Sequence, residues 1–229
     1  MNKIKINFDK SNFIFFSYGK NYNVNTLNFG PGVINAADNT KFLGITIDRN
    51  LKFKSHTSTV GIKLAKISGI LFRLNNVLPF EALKTLYSTL FVPHLLYGIE
   101  IWFGVLAIND DRIFKLQKKA IRAVNCLPYG HHTSDFFKQM DVLKVHDLHK
   151  HRVLIHMYSN DFLSQADVHD HNTRNRNNLV IPQYRRARTQ SSIFYQGISL
   201  WNNLPSEVKE IQSLESFKGQ IKSMYISSY

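Results

Sequence analysis

At 229 residues the chain is long enough for one large domain or two small ones, and a hydrophobic fraction of 44% suits a globular core. Twenty-nine Lys and Arg against sixteen Asp and Glu give a formal net charge of +13, a surplus that attracts polyanions, nucleic acid first and acidic membrane second. The single cysteine, Cys126, excludes intramolecular disulfides and cysteine-based zinc knuckles and fits a reducing compartment; between Val124 and Leu127 it reads as a buried structural thiol.

Residues 1–48 carry strand signals. KIKINF (3–8) alternates polar and apolar side chains, Phe13 to Ser17 reads as a buried strand, and Gly30-Pro31-Gly32 reads as a hairpin turn between Val24–Phe29 and Val33–Ile34. Ala37-Asp38-Asn39 turns into a further strand from Lys41 to Asp48, dense in strand-formers, and Asp48-Arg49-Asn50 supplies the next turn. Three or four short antiparallel strands follow, too few to stand alone in water. No signal peptide is read at the N-terminus.

From Lys54 the period changes. Val60, Leu64, Ile67, Leu71 and Leu74 predict an amphipathic helix with Lys63, Lys66 and Arg73 off the apolar line. Asn75-Asn76 ends it, Leu78-Pro79 opens the next, and Leu83, Leu86, Tyr87, Leu90 and Phe91 form that helix's buried stripe up to the break at Pro93. His94 to Gly104 reads as one more apolar helix. Leu90 to Ile108 imitates a membrane span, but Glu100 near its middle would cost about 2.5–3.5 kcal/mol, so a buried hairpin of helices is the expectation.

Asn109 is a predicted N-cap, with Asp110 and Asp111 in the first turn. The helix that follows turns Ile113, Leu116, Ala120, Ile121 and Val124 inward and Arg112, Lys115, Lys118, Lys119 and Arg122 outward as a basic stripe. A further helical pattern runs through Leu143, Leu148, Val153, Leu154, Met157 and Tyr158. Residues 159–190 are polar and turn-rich. From His171 to Gln190 they hold Arg174, Arg176, Arg185, Arg186 and Arg188 without one acid, an extended or loosely ordered basic segment. Two short helices close the chain. The fold class is therefore α+β: a small antiparallel β edge (residues 1–48) followed by a mainly helical region. The divisions fall at 1–53, 54–158, 159–190 and 191–229.

Little in the chain carries catalytic chemistry. Asp110-Asp111 opens a helix with a basic face and reads as helix-terminal charge, not as the paired carboxylates of two-metal phosphoryl transfer. His146, His149, His151 and His156 lack metal-ligand spacing, and there is no HExxH, Walker loop, GxGxxG or GxSxG. No catalytic and no metal-ligating residue is assigned. The basic stripe and the arginine segment together point to phosphate-backbone contact. Tyr184, Phe194, Tyr195 and Trp201 could stack on bases, although core packing is the expectation for Trp201.

The order of segments resembles the C-terminal part of reverse transcriptases encoded by non-LTR retrotransposons, the LINE elements of the jockey kind. INFDKSNFIFF (6–16) resembles the family's N-x-x-K-T/S segment, and KFLGITIDRNLKFKSH (41–56) resembles its F-L-G segment. LKTLYSTLFVPHLLYGIEIW (83–102) and LQKKAIRAV (116–124) resemble the helices that follow, and HNTRNRNNLVIPQYRRARTQSSIFYQGISLWNNLP (171–205) resembles its tail. The resemblance implies a palm edge with a primer grip at Phe42, Leu43 and Gly44, a triphosphate-proximal Lys10, and a thumb over residues 56–124. The stripe and segment arginines and lysines would then contact the backbone of an RNA or DNA template–primer without sequence preference. The family's aspartate pair, which holds magnesium, has no counterpart here, so the expectation is a truncated polymerase fragment, inactive alone and without a cofactor of its own. It would reside inside the cell, in cytoplasm or nucleus, off the membrane, with a palm and fingers as further partners. The competing expectation is a relic or a helical protein-interaction module.

Overall fold

The computed structural model describes residues 7–16, 24–30, 32–105, 107–168, 176–183, 190 and 192–229. Its contacts divide the chain into two units, Met1–Thr59 and Val60–Tyr229.

In the first unit a 3₁₀ turn at Phe8–Lys10, held by the Asn7 side chain accepting from the Lys10 N–H, leads into β1 (Asn12–Phe13). Strands β2 (Thr26–Phe29) and β3 (Gly32–Ala36) form the expected hairpin, and β1 joins the free edge of β3. That last pairing is parallel, where an antiparallel one is expected, because β1 reaches β3 through an intervening β2 instead of a tight turn. The strand signal at Phe13–Ser17 yields only the start of a strand, and Phe15 and Phe16 are exposed.

The expected strand from Lys41 to Asp48 is two strands. β4 (Asn39–Phe42) and β5 (Ile45–Asp48) pair antiparallel, with Phe42 opposite Ile45, so Leu43 and Gly44 are a two-residue turn. Both have positive φ, +45° and +83°. That conformation suits the right-handed twist of a hairpin but is costly for leucine. Past β5, Asp48 Oδ1 accepts from the N–H groups of Asn50 and Lys52 (3.0 Å each), the turn its sequence predicts.

Helix α1 (Lys54–Leu74) starts where the period changes. α2 (Phe80–Leu86) runs into a π-helical turn at Tyr87–Phe91, then α3 (Val92–Leu96) and α4 (Ile99–Trp102). The wider turn lies just upstream of Pro93, whose ring excludes a regular α ladder there. Gly98, at φ +61°, then divides the predicted helix His94–Gly104 in two. Phe91, Leu95, Ile99 and Trp102 are buried while Leu90, Tyr97 and Ile101 are exposed. No described helix is long and apolar enough to cross a membrane.

α5 (Ala107–Val124) begins two residues before Asn109, which therefore sits inside its first turn and not at its cap. Short α6 (Ser134–Gln139), α7 (Val145–Tyr158), α8 (Gln165–Val168), α9 (Ile193–Asn202), α10 (Ser206–Lys209) and α11 (Leu214–Ser227) follow. Leu154, Val208, Phe217 and Ile221 form a core with Trp201 and Tyr158 packed against it, so Trp201 is a core residue. Gly197 lets α9 lie directly on α7; a Cβ there would come within 2.5 Å of Met157 Sδ. Gln117 is fully buried and fully used: Nε2 donates to Tyr87 Oη (3.1 Å) and the Leu143 carbonyl (2.9 Å), and Oε1 accepts from the Val145 N–H (2.8 Å). The last residue is tied in as well. Tyr229 Oη accepts from the Lys144 N–H and donates to Asp147 Oδ2 (3.0 Å).

One expectation is reversed. Cys126 is exposed, at φ +53°, with Sγ 3.4 Å from the Asn75 carbonyl. The helix stops at Val124 and the chain leaves through a left-handed residue, which turns the thiol outward.

Candidate nucleic-acid interface

The basic stripe is carried by a helix anchored on its other side. Ile113, Gln117, Ala120, Ile121 and Val124 are buried, while Arg112, Lys115 and Lys119 are exposed. Arg112, Lys115, Lys119 and Arg122 recur at three, four and three residues, a line of about 15 Å along the helix axis. α1 and α5 run side by side in the same direction. Gly61 faces Arg112 and Leu116, Ser68 Oγ approaches the Leu116 carbonyl (3.5 Å), and Asn75 meets Cys126. Lys63, Lys66 and Arg73 are exposed on α1.

The five stripe cations are not equivalent. Arg122 Nε donates to the His131 carbonyl (2.9 Å), so it also pins the loop after α5. Lys118 Nζ lies 4.7 Å from the centre of the Phe114 ring. The Arg112 guanidinium lies against Gly61. Lys115 and Lys119 are exposed and form no ion pair with any described residue, which leaves two ammonium groups for an anion.

The other predicted positions scatter. Lys10 is exposed at the end of the 3₁₀ turn. Phe42 and Leu43 stand at the tip of the β4–β5 hairpin, 63% and 75% exposed, with Gly44 completing the turn. These belong to the first unit and the stripe to the second. Arg176 is exposed in a turn; Arg174, Arg185, Arg186 and Arg188, and the stacking candidate Tyr184, lie outside the described residues. Phe194 is exposed on α9.

Asp110 behaves differently from a helix-terminal surface acid. Only 7% of it is exposed; Oδ2 accepts from the Gly104 N–H (3.1 Å), and Oδ1 is buried without a partner among the described residues. Burial pushes its carboxyl up to about 6, against the Gly104 hydrogen bond. It lines a cavity of about 350 Å³ together with Phe103, His146, His149, Tyr195, Gln196 and Ser199. His149 is buried and pushed down to about 4, first by desolvation and then by the His146 and Lys150 charges. The sequence presents Asp110 as a helix-end charge and the histidines as ordinary ones; nothing local in it signals a cavity assembled from α5, α7 and α9.

Asp111 is exposed while its neighbour Asp110 is buried. No group of three or more His, Cys, Asp or Glu able to hold a metal occurs among the described residues.

No protein-family model matches the chain, and no solved structure does. Its relatives are polymerases of mobile elements. The chain is 31% identical over 100 residues (42% of this chain) to a probable RNA-directed DNA polymerase from transposon BS of Drosophila melanogaster. It is 31% identical over 114 residues (47% of this chain) to the RNA-directed DNA polymerase from mobile element jockey of the same fly, and 25% identical over 111 residues to the jockey polymerase of Drosophila funebris. The match spans only 11–12% of the length of these relatives.

Proposed function

We propose, with kinship to the jockey-type non-LTR retrotransposon RNA-directed DNA polymerases as the premise, that this chain grips template–primer nucleic acid through its phosphate backbone. One observation carries the reading: Lys115 and Lys119 stand exposed and unpaired on a helix whose opposite face is locked into the core. Rigid placement of cations lets phosphates be neutralised without ordering a flexible segment, and counterions released from the duplex supply the free energy. The exposed Phe42–Leu43 hairpin tip supports a contact at the primer end, and Lys10, Arg112, Lys118, Arg122 and Arg176 supply further positive charge. Arg174, Arg185, Arg186 and Arg188 add to it by sequence. Such a partner places the chain inside the cell. The chain acts as a grip on the duplex, and none of its residues is assigned to nucleotide chemistry. The purified chain incorporates no nucleotide.

The test is fluorescence anisotropy of a labelled primer–template with the chain and its Lys115→Glu/Lys119→Glu variant. Wild type binds at low salt. The variant binds at least tenfold more weakly, uniformly across sequences, and its salt slope is smaller by about two. Equal binding by both overturns the assignment to α5.

A second reading, a protein-interaction module, is favoured by exposed apolar side chains on the first unit: Leu27, Phe29 and Val33 on β2 and β3, and Phe42 and Leu43 at the hairpin tip. A monodisperse chain with one cooperative melt counts against it.

A further inference from the structure

We propose that the cavity between the start of α5, α7 and α9 binds the base of an unpaired, amino-bearing nucleotide, with Asp110 accepting from the exocyclic amine. Three observations carry this. First, Asp110 is nine-tenths buried, one carboxylate oxygen is held by the Gly104 N–H, and the other has no partner among the described residues. A buried acceptor left unmade is costly, and a ligand N–H donor removes that cost. Second, the walls are flat and apolar where a ring would lie: Phe103, Tyr195 and the imidazoles of His146 and His149. The His149 and His146 rings already pack on Phe103 at 5.4 and 5.3 Å. Burial keeps His149 neutral at physiological pH, so the ring surface carries no cation opposed to an amine. Third, Gln196 and Ser199 add an amide and a hydroxyl from α9 to read the rest of a base edge.

The volume, about 350 Å³, lies at the low end for small-molecule sites and suits a nucleoside better than a larger cofactor. A metal ion is a poorer occupant, since no three-ligand cluster of His, Cys, Asp or Glu occurs among the described residues. Lys150, which also lines the cavity, pairs with Asp147 (3.3 Å). The choice of a nucleotide as occupant rests on the nucleic-acid reading above; the acceptor pocket itself does not.

The experiment uses free nucleosides, which lack phosphate, so that its outcome is separate from backbone binding. Cytidine, adenosine and uridine are titrated into the full chain and followed by protein NMR shifts at Gly104, His149 and Ser199. Cytidine and adenosine bind, and uridine, which presents a carbonyl where cytidine has its amine, binds about tenfold more weakly. Asp110→Asn keeps the acceptor for Gly104 and turns the free atom into a donor, so it reverses the cytidine–uridine preference. Ser199→Phe fills the cavity from α9 without touching Asp110 and abolishes binding of all three. Indifference of the chain to the exocyclic group, an unchanged preference in Asp110→Asn, binding that survives Ser199→Phe, or no binding at millimolar nucleoside would each overturn the proposal. Duplex binding with a normal salt slope alongside any of these leaves the backbone grip standing and the base pocket refuted.

Discussion

Gln117 has no exposed surface and three hydrogen-bond partners on two segments: Tyr87 on one, the Leu143 carbonyl and the Val145 N–H on the other. Replacing it with leucine leaves the Val145 N–H and the Leu143 carbonyl buried and unpaired, an expected loss of about 2–4 kcal/mol in urea unfolding. Tyr87→Phe removes one bond and no backbone partner, and should cost about 1 kcal/mol. Asp110 and His149 give the opposite kind of residue effect, visible only against pH. The folded-state pKa of Asp110 is raised from 3.8 to about 6, so its contribution to stability is full below 3.8 and lost as pH rises through 6. That of His149 is lowered from 6.5 to about 4, so its contribution is full above 6.5 and lost as pH falls through 4. The two slopes oppose each other between about pH 4 and 6. Asp110→Asn should unmask the histidine, with stability climbing by about 3 kcal/mol from pH 4 to 6.5, and His149→Phe should unmask the acid, with stability falling as pH rises to 6. A flat profile in both variants contradicts the assignment.

The elements divide by how far their cause lies in the local sequence. α1 and α5 were legible because apolar spacing alone decides which side faces in: Val60, Leu64, Ile67 and Leu71, and Ile113, Ala120, Ile121 and Val124, are all buried as their periodicity predicts. The turn at Leu43–Gly44 was not. Every residue from Phe42 to Asp48 except glycine and aspartate favours a strand, and leucine is a poor left-handed residue, so tertiary pairing of β4 with β5 overrides local preference. Leu43→Gly relieves that strain and should raise the stability of the hairpin by about 1 kcal/mol, read as slower amide exchange in β5. The cavity was illegible for a different reason. Asp110 is buried by the Gly104 loop and by α9, more than eighty residues later in the chain, and no pattern around Asp110 announces that meeting. Likewise the approach of α9 to α7 rests on Gly197, and Gly197→Ala should destabilise the helical unit by about 1–3 kcal/mol because Met157 must move.

At the scale of the molecule, the first unit is a pair of small sheets with much of its apolar surface exposed, and the second is a helical unit with a built core and a basic face. A net charge of +13 is spread over both, but among the described residues a line of cations fixed by a buried opposite face occurs in the helical unit. A grip of this face on nucleic-acid phosphates makes primer–template affinity depend steeply on salt. Log K against log[salt] should be a straight line with a slope steeper than −2, reduced by about two in the Lys115→Glu/Lys119→Glu variant. A slope near zero, or no binding at low salt, would contradict it.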